Sequence, residues 1–432
     1  MAKSPESFTV AQFAAIAVCF VLQIIDGMDV LVVAYAGPQI IEEWGITKGT
    51  YGYIFSAGVA GMTMGSFFLT PFADTIGRRR AVLAAVTIIA LSMLLTAFVT
   101  SIAQLLALRF IVGLGIGLAG PTLSTIGAEY SPPRYRHFVV SMIGAGYAVG
   151  AMLTGVVAAY IVPEYGWRAM FITAAVVTGI MLPVAFVMLP ESLEFLLKKQ
   201  PPGALAQANR LLSRLGRPQL DELPAATAEK RSGLGVGNLL VENRRRSTLG
   251  LWMGFFMVYA TVYFLLGFVP AIVKDMGYPE EQYILAGTVY NLGGLVGIFV
   301  LGALFTRYRL AAVIIGFQVA SAVFMVAFGV LTPPLATLLT VICVLGFFSQ
   351  AGLIGMVAAA VRLYPTELRA TGVGWGQGMG RAGAIIGPIT GGLLMVPGYS
   401  RALNFSLFAI PFVLAALAVM FIRFPKEPAE KG

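Results

Sequence analysis

Long apolar stretches separated by short polar ones dominate the chain. A helix that crosses the hydrocarbon core of a bilayer needs about 20 mostly apolar residues. Stretches of this kind lie at 11–36, 52–73, 81–100, 103–127, 138–161, 168–189, 249–271, 282–305, 310–331, 336–362, 371–396 and 402–423. The pattern predicts an all-α integral membrane protein with twelve transmembrane helices in two six-helix bundles. The first stretch lacks a basic n-region and contains two acids, so we expect a retained span rather than a cleaved signal peptide.

A polar stretch in the middle of the chain separates the two sets of six. We expect an N-terminal bundle over 1–190, a cytoplasmic linker over 191–248 and a C-terminal bundle over 249–432. Within the linker, one amphipathic helix is predicted near 203–215.

The two sets of six look like copies of one another. Gly65 lies nine residues before Asp74, and Gly297 lies nine residues before Thr306, an offset of 232. Arg136 and Arg369 are also offset, by 233 residues. Each ends a proline-containing loop that precedes a glycine-rich helix. Repeated six-helix halves are a recurrent plan of secondary transporters, with the substrate site between the halves near the bilayer midplane. The repeat therefore favours a transporter.

Composition supports a lipid environment for most of the chain. Hydrophobic residues make up 58% of the sequence and charged residues only 11%, whereas soluble proteins carry about 25% charged residues. This excludes an ordinary soluble enzyme, a nucleic-acid-binding protein and a disordered chain. Two distant cysteines and a single histidine provide neither a disulfide framework nor a Cys- or His-based metal site.

The basic residues predict the orientation in the membrane. With the N-terminus inside, 23 of the 29 Lys and Arg residues fall in cytoplasmic loops and tails, and four fall outside. Because cytoplasmic loops are enriched in Lys and Arg, we expect a multi-pass protein of the cell membrane with both termini cytoplasmic. The net charge of +9 is then explained by topology, and no nucleic-acid partner is expected.

Two acidic residues lie within an apolar segment, Asp26 and Asp29 in the first one. Their spacing of three places both carboxyls on one face of a helix. Ionisable residues at this depth are costly and normally serve a pathway or pair with a partner, so we expect them to carry protons. Gly27 between them suggests space for a ligand or a kink. The alternative is a structural pair that caps or salt-bridges a helix end.

Two arginines also lie within apolar segments, Arg109 and Arg381. The planar guanidinium suits a carboxylate, so each either pairs with the acids or binds an anionic substrate. Arg381 lies about 18 Å into the membrane at 1.5 Å per residue from Arg369, which favours it as substrate anchor over a structural ion pair. Arg109 lies closer to the outer face, so structure, proton coupling and ligand contact all stay open. Other candidates for the substrate site are Tyr35, Tyr147, Tyr259, Trp375 and Gln377.

Several motifs resemble those of the major facilitator superfamily. The run GSFFLTPFADTIGRRR is similar to the family's G-x-x-x-D-R-x-G-R-R loop, with Thr75 in place of an Arg, and RFIVGLGIG, WRAMF and PESLEFL also fit the family. DGMD in the first segment resembles the D-G-x-D signature of the aromatic acid:proton symporters, and GRAGAIIGP fits them too. The resemblance implies proton-driven uptake of benzoate- or hydroxybenzoate-like anions, with Asp26 and Asp29 essential.

The motif loop also suggests a gate. Asp74 and Arg78 lie four residues apart in a predicted cytoplasmic turn, and we expect them to latch the cytoplasmic side shut. The second-half copy has Thr306 where the repeat would place an acid, so control rests more on Asp74. A solvated charge cluster without this role is the alternative.

The sequence as a whole predicts a secondary transporter that imports a small aromatic carboxylate with protons, acting as a monomer. Alternatives are a symporter of a non-aromatic acid, a proton-linked exporter and a receptor with a transporter fold. No nucleotide motif, cofactor site, metal cluster or nucleophile–base pair is visible, so neither an enzyme nor an ATP-driven pump is expected.

Overall fold

The computed structural model describes residues 8–215, 218–224, 236–331, 334–395 and 400–424. Over these residues the chain is helical, with fourteen α-helices and no strand. The first eight are α1 Val10–Trp44, α2 Lys48–Met64, α3 Thr70–Ile76, α4 Arg78–Thr96, α5 Ile102–Tyr130, α6 Arg136–Met188, α7 Leu193–Lys199 and α8 Ala204–Arg214. The other six are α9 Glu242–Asp275, α10 Glu280–Leu304, α11 Leu310–Val330, α12 Leu335–Leu363, α13 Thr366–Leu394 and α14 Arg401–Met420.

The helices account for the twelve predicted spans. Ten helical stretches within the described residues are long and apolar enough to cross a membrane. One of them, α6, contains the fifth and sixth spans, which meet at Gly166, where φ is 75°. The stretch outside the ten is α13, whose glycines and Arg381 lower its hydropathy.

Some boundaries differ from the sequence prediction. A π-helical turn, Gly65–Leu69, interrupts the second span between α2 and α3. The predicted linker ends earlier than expected, because α9 begins at Glu242 and includes the basic triplet 244–246. The predicted amphipathic helix near 203–215 is confirmed as α8. Linker residues 225–235 lie outside the described part of the chain.

The chain divides into two compact units. The first comprises Met1–Ala36 and Ala57–Arg231, and the second comprises Gly37–Ser56 and Ser232–Gly432. The contacts of the end of α1 and the start of α2 therefore assign both segments to the second unit, although the remainder of both helices belongs to the first. We call the segment Gly37–Ser56 the tip. The boundaries predicted for the domains did not anticipate it.

Polar contacts hold the tip within the second unit. Lys48 forms an ion pair with Asp275, and Lys274 forms one with Glu42. The Tyr51 hydroxyl donates a hydrogen bond of 3.1 Å to the carbonyl oxygen of Gly267 in α9. The Gln39 side-chain amide donates a hydrogen bond of 2.7 Å to Glu280 Oε1. The Ser56 hydroxyl donates a hydrogen bond of 2.7 Å to the carbonyl oxygen of Ile385.

The predicted repeat is visible in how helices approach each other. In the first unit, Gly61 of α2 lies so close to α5 that a Cβ would overlap the Phe110 carbonyl oxygen. In the second unit, Gly293 of α10 meets the Cys343 carbonyl of α12 in the same way. The same relation holds for Gly65 with Leu114 and for Gly297 with Phe347. The glycines are offset by 232 positions and their partners by 233, as predicted from the sequence. Small residues at these points allow the helix backbones to approach closely.

Candidate functional site

The acid pair lies on α1 in the interior of the first unit. Asp26 is 3% exposed and Asp29 is 1% exposed. The Thr178 hydroxyl of α6 donates a hydrogen bond of 3.4 Å to Asp29 Oδ2. Asp26 Oδ2 and Asp29 Oδ1 are buried and have no hydrogen-bond partner among the described residues. A buried, ionised carboxylate with unsatisfied oxygens is costly, so this geometry suits groups that are neutral in part of a cycle.

Gly27 packs against α6, and the expectation of a kink or of ligand space at this position was wrong. The helix α1 continues through this position without interruption. A Cβ on Gly27 would overlap the carbonyl oxygen of Tyr147 in α6, so the backbone of α6 already fills the space. One turn further along α6, Gly150 meets the carbonyl oxygen of Ile24 in the same manner. The glycines thus hold the fifth span, the first part of α6, against the helix that carries the acids, whereas Thr178 lies in the sixth span, beyond Gly166.

Arg109 extends from α5 into the same unit and is 3% exposed. Its Nη2 donates to Met93 Sδ at 3.1 Å and to the Thr96 hydroxyl at 3.4 Å. The guanidinium lies over the Phe171 ring at 4.8 Å from the centroid. The Arg109 guanidinium also interacts electrostatically with the Asp29 carboxyl group. Of the roles left open by the sequence, these surroundings favour charge partner of the acid pair.

Arg381 lies on α13 in the second unit, where α13 packs against an aromatic row on α9. Tyr259 and Tyr263 stack with ring centroids 5.9 Å apart and an interplanar angle of 11°. Gly380 gives Tyr259 the space to lie against α13, because a Cβ there would be 2.9 Å from the ring. The Arg381 guanidinium interacts electrostatically with the Tyr259 hydroxyl group. A guanidinium can bind a carboxylate through its planar fork, and aromatic side chains can stack on another ring.

The remaining substrate candidates are distributed over both units. Gln377 is half-buried and lies one turn before Arg381 on the same face of α13. Trp375 is 46% exposed and stacks on Trp252 at 5.8 Å, and its spacing of six from Arg381 turns it to a different side of the helix. Tyr35 is buried in the first unit, whereas Tyr147 is half-buried there. Their part in substrate binding stays a prediction.

Arg78 is the centre of an ionic cluster at one end of the first unit. It pairs with Asp74 at 3.2 Å, as predicted, and it is also paired with Glu129, at the end of α5, and lies 3.6 Å from Glu194 of α7. The Ser192 hydroxyl donates to Glu129 at 2.6 Å. A hydrogen bond from Lys198 holds the pKa of the Glu194 carboxyl below its ordinary value, although partial burial acts in the opposite direction. We call these residues the Arg78 cluster.

Sequence reasoning missed two contributors. Thr178 gave no signal, because a threonine in an apolar span often bonds to its own helix backbone. Glu129 lies at the polar end of a span, where an acid is unremarkable in sequence. Only its contact with Arg78 assigns it to the cluster.

Comparisons with known proteins show which families and relatives this chain resembles. The family model described as Major Facilitator Superfamily matches residues 19–233 and 251–432. A gallate transporter of Pseudomonas putida is 30% identical over 95% of this chain and 91% of its own length. A 4-hydroxybenzoate transporter of Pseudomonas putida is 29% identical over 95% of this chain and 92% of its own length.

Solved structures show the same fold. The crystal structure of a D-xylose–proton symporter superimposes with a TM-score of 0.75, covering 96% of this chain and 98% of the symporter at 16% identity. The predicted fold, twelve helices in two repeated bundles, is therefore confirmed, and the protein is a multi-pass membrane transporter and not an enzyme. From its helices, its motifs and these comparisons, the chain belongs to the Major Facilitator Superfamily.

Proposed function

We propose that this transporter imports a small aromatic carboxylate, such as benzoate or a hydroxybenzoate, together with protons. The observation that carries the proposal is the buried acid pair Asp26 and Asp29, with an unpartnered oxygen on each side chain among the described residues. The names of the relatives, transporters of gallate and of 4-hydroxybenzoate, support the substrate class. The distribution of Lys and Arg supports a cell-membrane protein with both termini cytoplasmic. Since one chain carries both halves, we propose that it acts as a monomer.

In this proposal the first unit carries the protons. A proton on Asp26 or Asp29 removes a buried charge, and we assign Arg109, buried in the same unit, as the cation that offsets the negative charge when the proton leaves. The cell's inside-negative potential opposes entry of an anion by about 2.3 kcal/mol per charge per 100 mV. One co-transported proton cancels this opposition, and two reverse it.

The acid pair is tested by uptake into proteoliposomes. Asp26→Asn and Asp29→Asn should each abolish accumulation of labelled benzoate driven by an imposed pH gradient, while reconstituted protein levels persist. Exchange of internal for external benzoate, which needs no net proton movement, is expected to survive in at least one variant. Glu281→Gln, a change of an exposed acid at the start of α10, is the matched control and should accumulate normally. Full accumulation by both aspartate variants would disprove the assignment.

In the second unit we propose that Arg381 binds the substrate carboxylate. An aromatic ring is readily buried among α9 and α13 side chains, whereas a carboxylate needs a partner. The bidentate fork of Arg381 supplies that partner, and Tyr259 with Tyr263 supplies an aromatic surface.

Calorimetry on purified protein separates this role from a structural one. Arg381→Lys keeps the charge but loses the fork, so benzoate should bind about tenfold more weakly, a loss of roughly 1.4 kcal/mol. Binding of benzamide, which is weak and lacks the charge, should hardly change. Arg369→Lys on the same helix, with an exposed side chain, is the control. Equal losses for acid and amide would make Arg381 a structural residue.

A further inference from the structure

A cavity of about 280 Å³ lies in the first unit, between the start of α4, the end of α6 and the amphipathic helix α8. Its lining includes neither the acid pair nor Arg78 and its acids, and neither proposed transport role uses it. Arginines from two elements line it, Arg79 from α4 and Arg210 with Arg214 from α8. Their convergence on one cavity is unusual in a chain with so few charged residues.

The sequence of α8 explains why two of these arginines point the same way. Arg210 and Arg214 are four residues apart, and Gln207 precedes Arg210 by three, so all three share a face of the helix. The apolar residues Leu211 and Leu212 are buried and seat α8 on the unit. Arg210 and Arg214 themselves are exposed at the mouth of the cavity.

One carboxylate also lines the cavity, and it is already engaged. Glu191 Oε1 accepts hydrogen bonds of 3.0 Å from the backbone N–H groups of Arg79 and Ser192. With three guanidinium groups against this one carboxylate, the lining carries a net charge of +2. The Arg79 guanidinium is partly engaged, because its Nη2 donates to the Phe186 carbonyl oxygen at 2.5 Å, but its Nε is buried and has no hydrogen-bond partner among the described residues. The described lining thus has more guanidinium donors than negatively charged acceptors.

The opposite edge of the cavity is apolar. Val187 and Met188, at the end of the last span of the first unit, line the cavity, and Val187 is 79% exposed. The neighbouring Phe186 is 61% exposed, and the Arg79 guanidinium lies 5.1 Å from its ring centroid. Because lipid surrounds a membrane-spanning helix, we expect these exposed apolar side chains to face it. A basic cavity that opens onto such an edge has the two-sided chemistry of a phospholipid, a charged phosphate next to acyl chains.

We propose that this cavity binds a phosphate group through Arg79, Arg210 and Arg214, and that in the membrane this group is the headgroup of an anionic phospholipid. The arginine forks match phosphate oxygens, and the exposed Phe186 and Val187 lie beside the acyl chains. A lipid held here would fix α8 to the end of α6 and so anchor the linker at the membrane surface. Its assignment to the cytoplasmic leaflet rests on the proposed orientation.

The test measures binding to full-length purified protein, independently of transport. Calorimetric titrations in detergent use three probes: dihexanoyl phosphatidylglycerol, dihexanoyl phosphatidylcholine and inorganic phosphate. The variant is the double change Arg210→Gln, Arg214→Gln, and its control is Lys198→Gln, Lys199→Gln. The control removes the same charge from α7, outside the cavity lining. Both doubles alter exposed side chains, and the Lys198–Glu194 ion pair lost in the control is an exposed pair of small energetic weight, so thermal unfolding should change little in either.

We expect phosphatidylglycerol to bind more tightly than either other probe. We also expect the double change of Arg210 and Arg214 to weaken that binding about tenfold, whereas the double change of Lys198 and Lys199 alters it by less than about twofold. Equal losses in the two doubles would show attraction to surface charge in general and overturn the site. Equal affinity for phosphatidylcholine would remove the need for an anionic headgroup, and inorganic phosphate binding as tightly as the lipid would overturn the lipid assignment. A failure of benzoate uptake leaves all of these readouts intact.

Discussion

Two arginines with similar sequence settings have different surroundings in the structure. Arg109 and Arg381 both lie in glycine-rich apolar segments, and a guanidinium at either position is suited to bind a carboxylate. The Arg109 guanidinium is enclosed by Met93, Thr96 and Phe171 of its own unit. Arg381 is half-buried beside a pair of stacked tyrosines. Because its guanidinium is enclosed by protein, Arg109 suits the role of a fixed charge partner. Arg381 is less enclosed and suits contact with a ligand.

This difference predicts a selective effect of changing Arg109. Arg109→Gln removes the charge that acts on Asp29, so gradient-driven benzoate accumulation should fall by at least about tenfold. Benzoate binding measured by calorimetry should change by less than about threefold, because no ligand contact is lost. Removing one member of a buried charged set destabilises proteins, so thermal unfolding is followed in parallel. Arg109→Lys keeps the charge and should retain part of the accumulation. A binding loss as large as that of Arg381→Lys would instead place Arg109 at the substrate.

At the scale of elements, equivalent helix pairs in the two halves meet through glycine. Gly150 of α6 lies against the Ile24 carbonyl of α1, and Gly383 of α13 lies against the Phe256 carbonyl of α9. Here the glycines are offset by 233 and the carbonyls by 232, whereas in the α2–α5 and α10–α12 pairs the glycines are offset by 232 and the carbonyls by 233. The duplicated pattern has therefore kept its packing points while the charged residues diverged. Asp26, Asp29 and Arg109 have Val258, Thr261 and Ile342 at the corresponding positions.

We predict matched losses of stability from one methyl group in each half. Gly150→Ala and Gly383→Ala would each place a Cβ on a backbone carbonyl that cannot move without shifting a helix. Overpacking of this kind costs about 1–3 kcal/mol, so thermal unfolding of each purified variant should begin several degrees lower. Gly144→Ala in α6 and Gly374→Ala in α13 are the controls, because no atom lies within 4 Å of the added Cβ. If the four variants unfold alike, close glycine packing does not limit stability.

For the molecule as a whole, the Arg78 cluster is the proposed control of gating. Arg78 is 13% exposed and is paired with Glu129, which is 15% exposed, whereas the Asp74 side chain is 62% exposed. Partly buried charges depend more on their partners than exposed ones do, because water screens exposed pairs. Glu129 is therefore expected to hold the cluster together more strongly than Asp74, the acid identified from the sequence motif.

A prediction follows for the population of the inward-open state. Asp74→Asn should raise the labelling of cysteines introduced along the substrate path from the cytoplasmic side and should slow net uptake, with benzoate binding kept. Glu129→Gln should do the same to a greater extent. Arg80→Gln, an exposed neighbour in the same basic run, should leave labelling unchanged. If labelling is unchanged in both acid variants, the cluster does not control gating, and its charges only reflect the orientation of the chain in the membrane.

The sequence by itself determined the twelve spans, the duplication and the buried acid pair. Lipid as solvent imposes a strict length and composition on every span, so apolar runs reveal helices directly. A charge inside such a run is visible for the same reason, as Asp26, Asp29, Arg109 and Arg381 were. The basic loops predicted an orientation on similar grounds.

Only the tertiary structure decided which residues meet. Thr178 reaches Asp29 from 149 positions away, and Glu129 reaches Arg78 from a different helix end. Residues 37–56 belong with the second unit although they include the end of α1 and the start of α2, whose other residues belong with the first. The space beside Gly27, expected to admit a ligand, is filled by the backbone of α6. Hydropathy and spacing describe how one helix meets its solvent, whereas these contacts depend on the rotation and approach of neighbouring helices, which only packing in three dimensions defines.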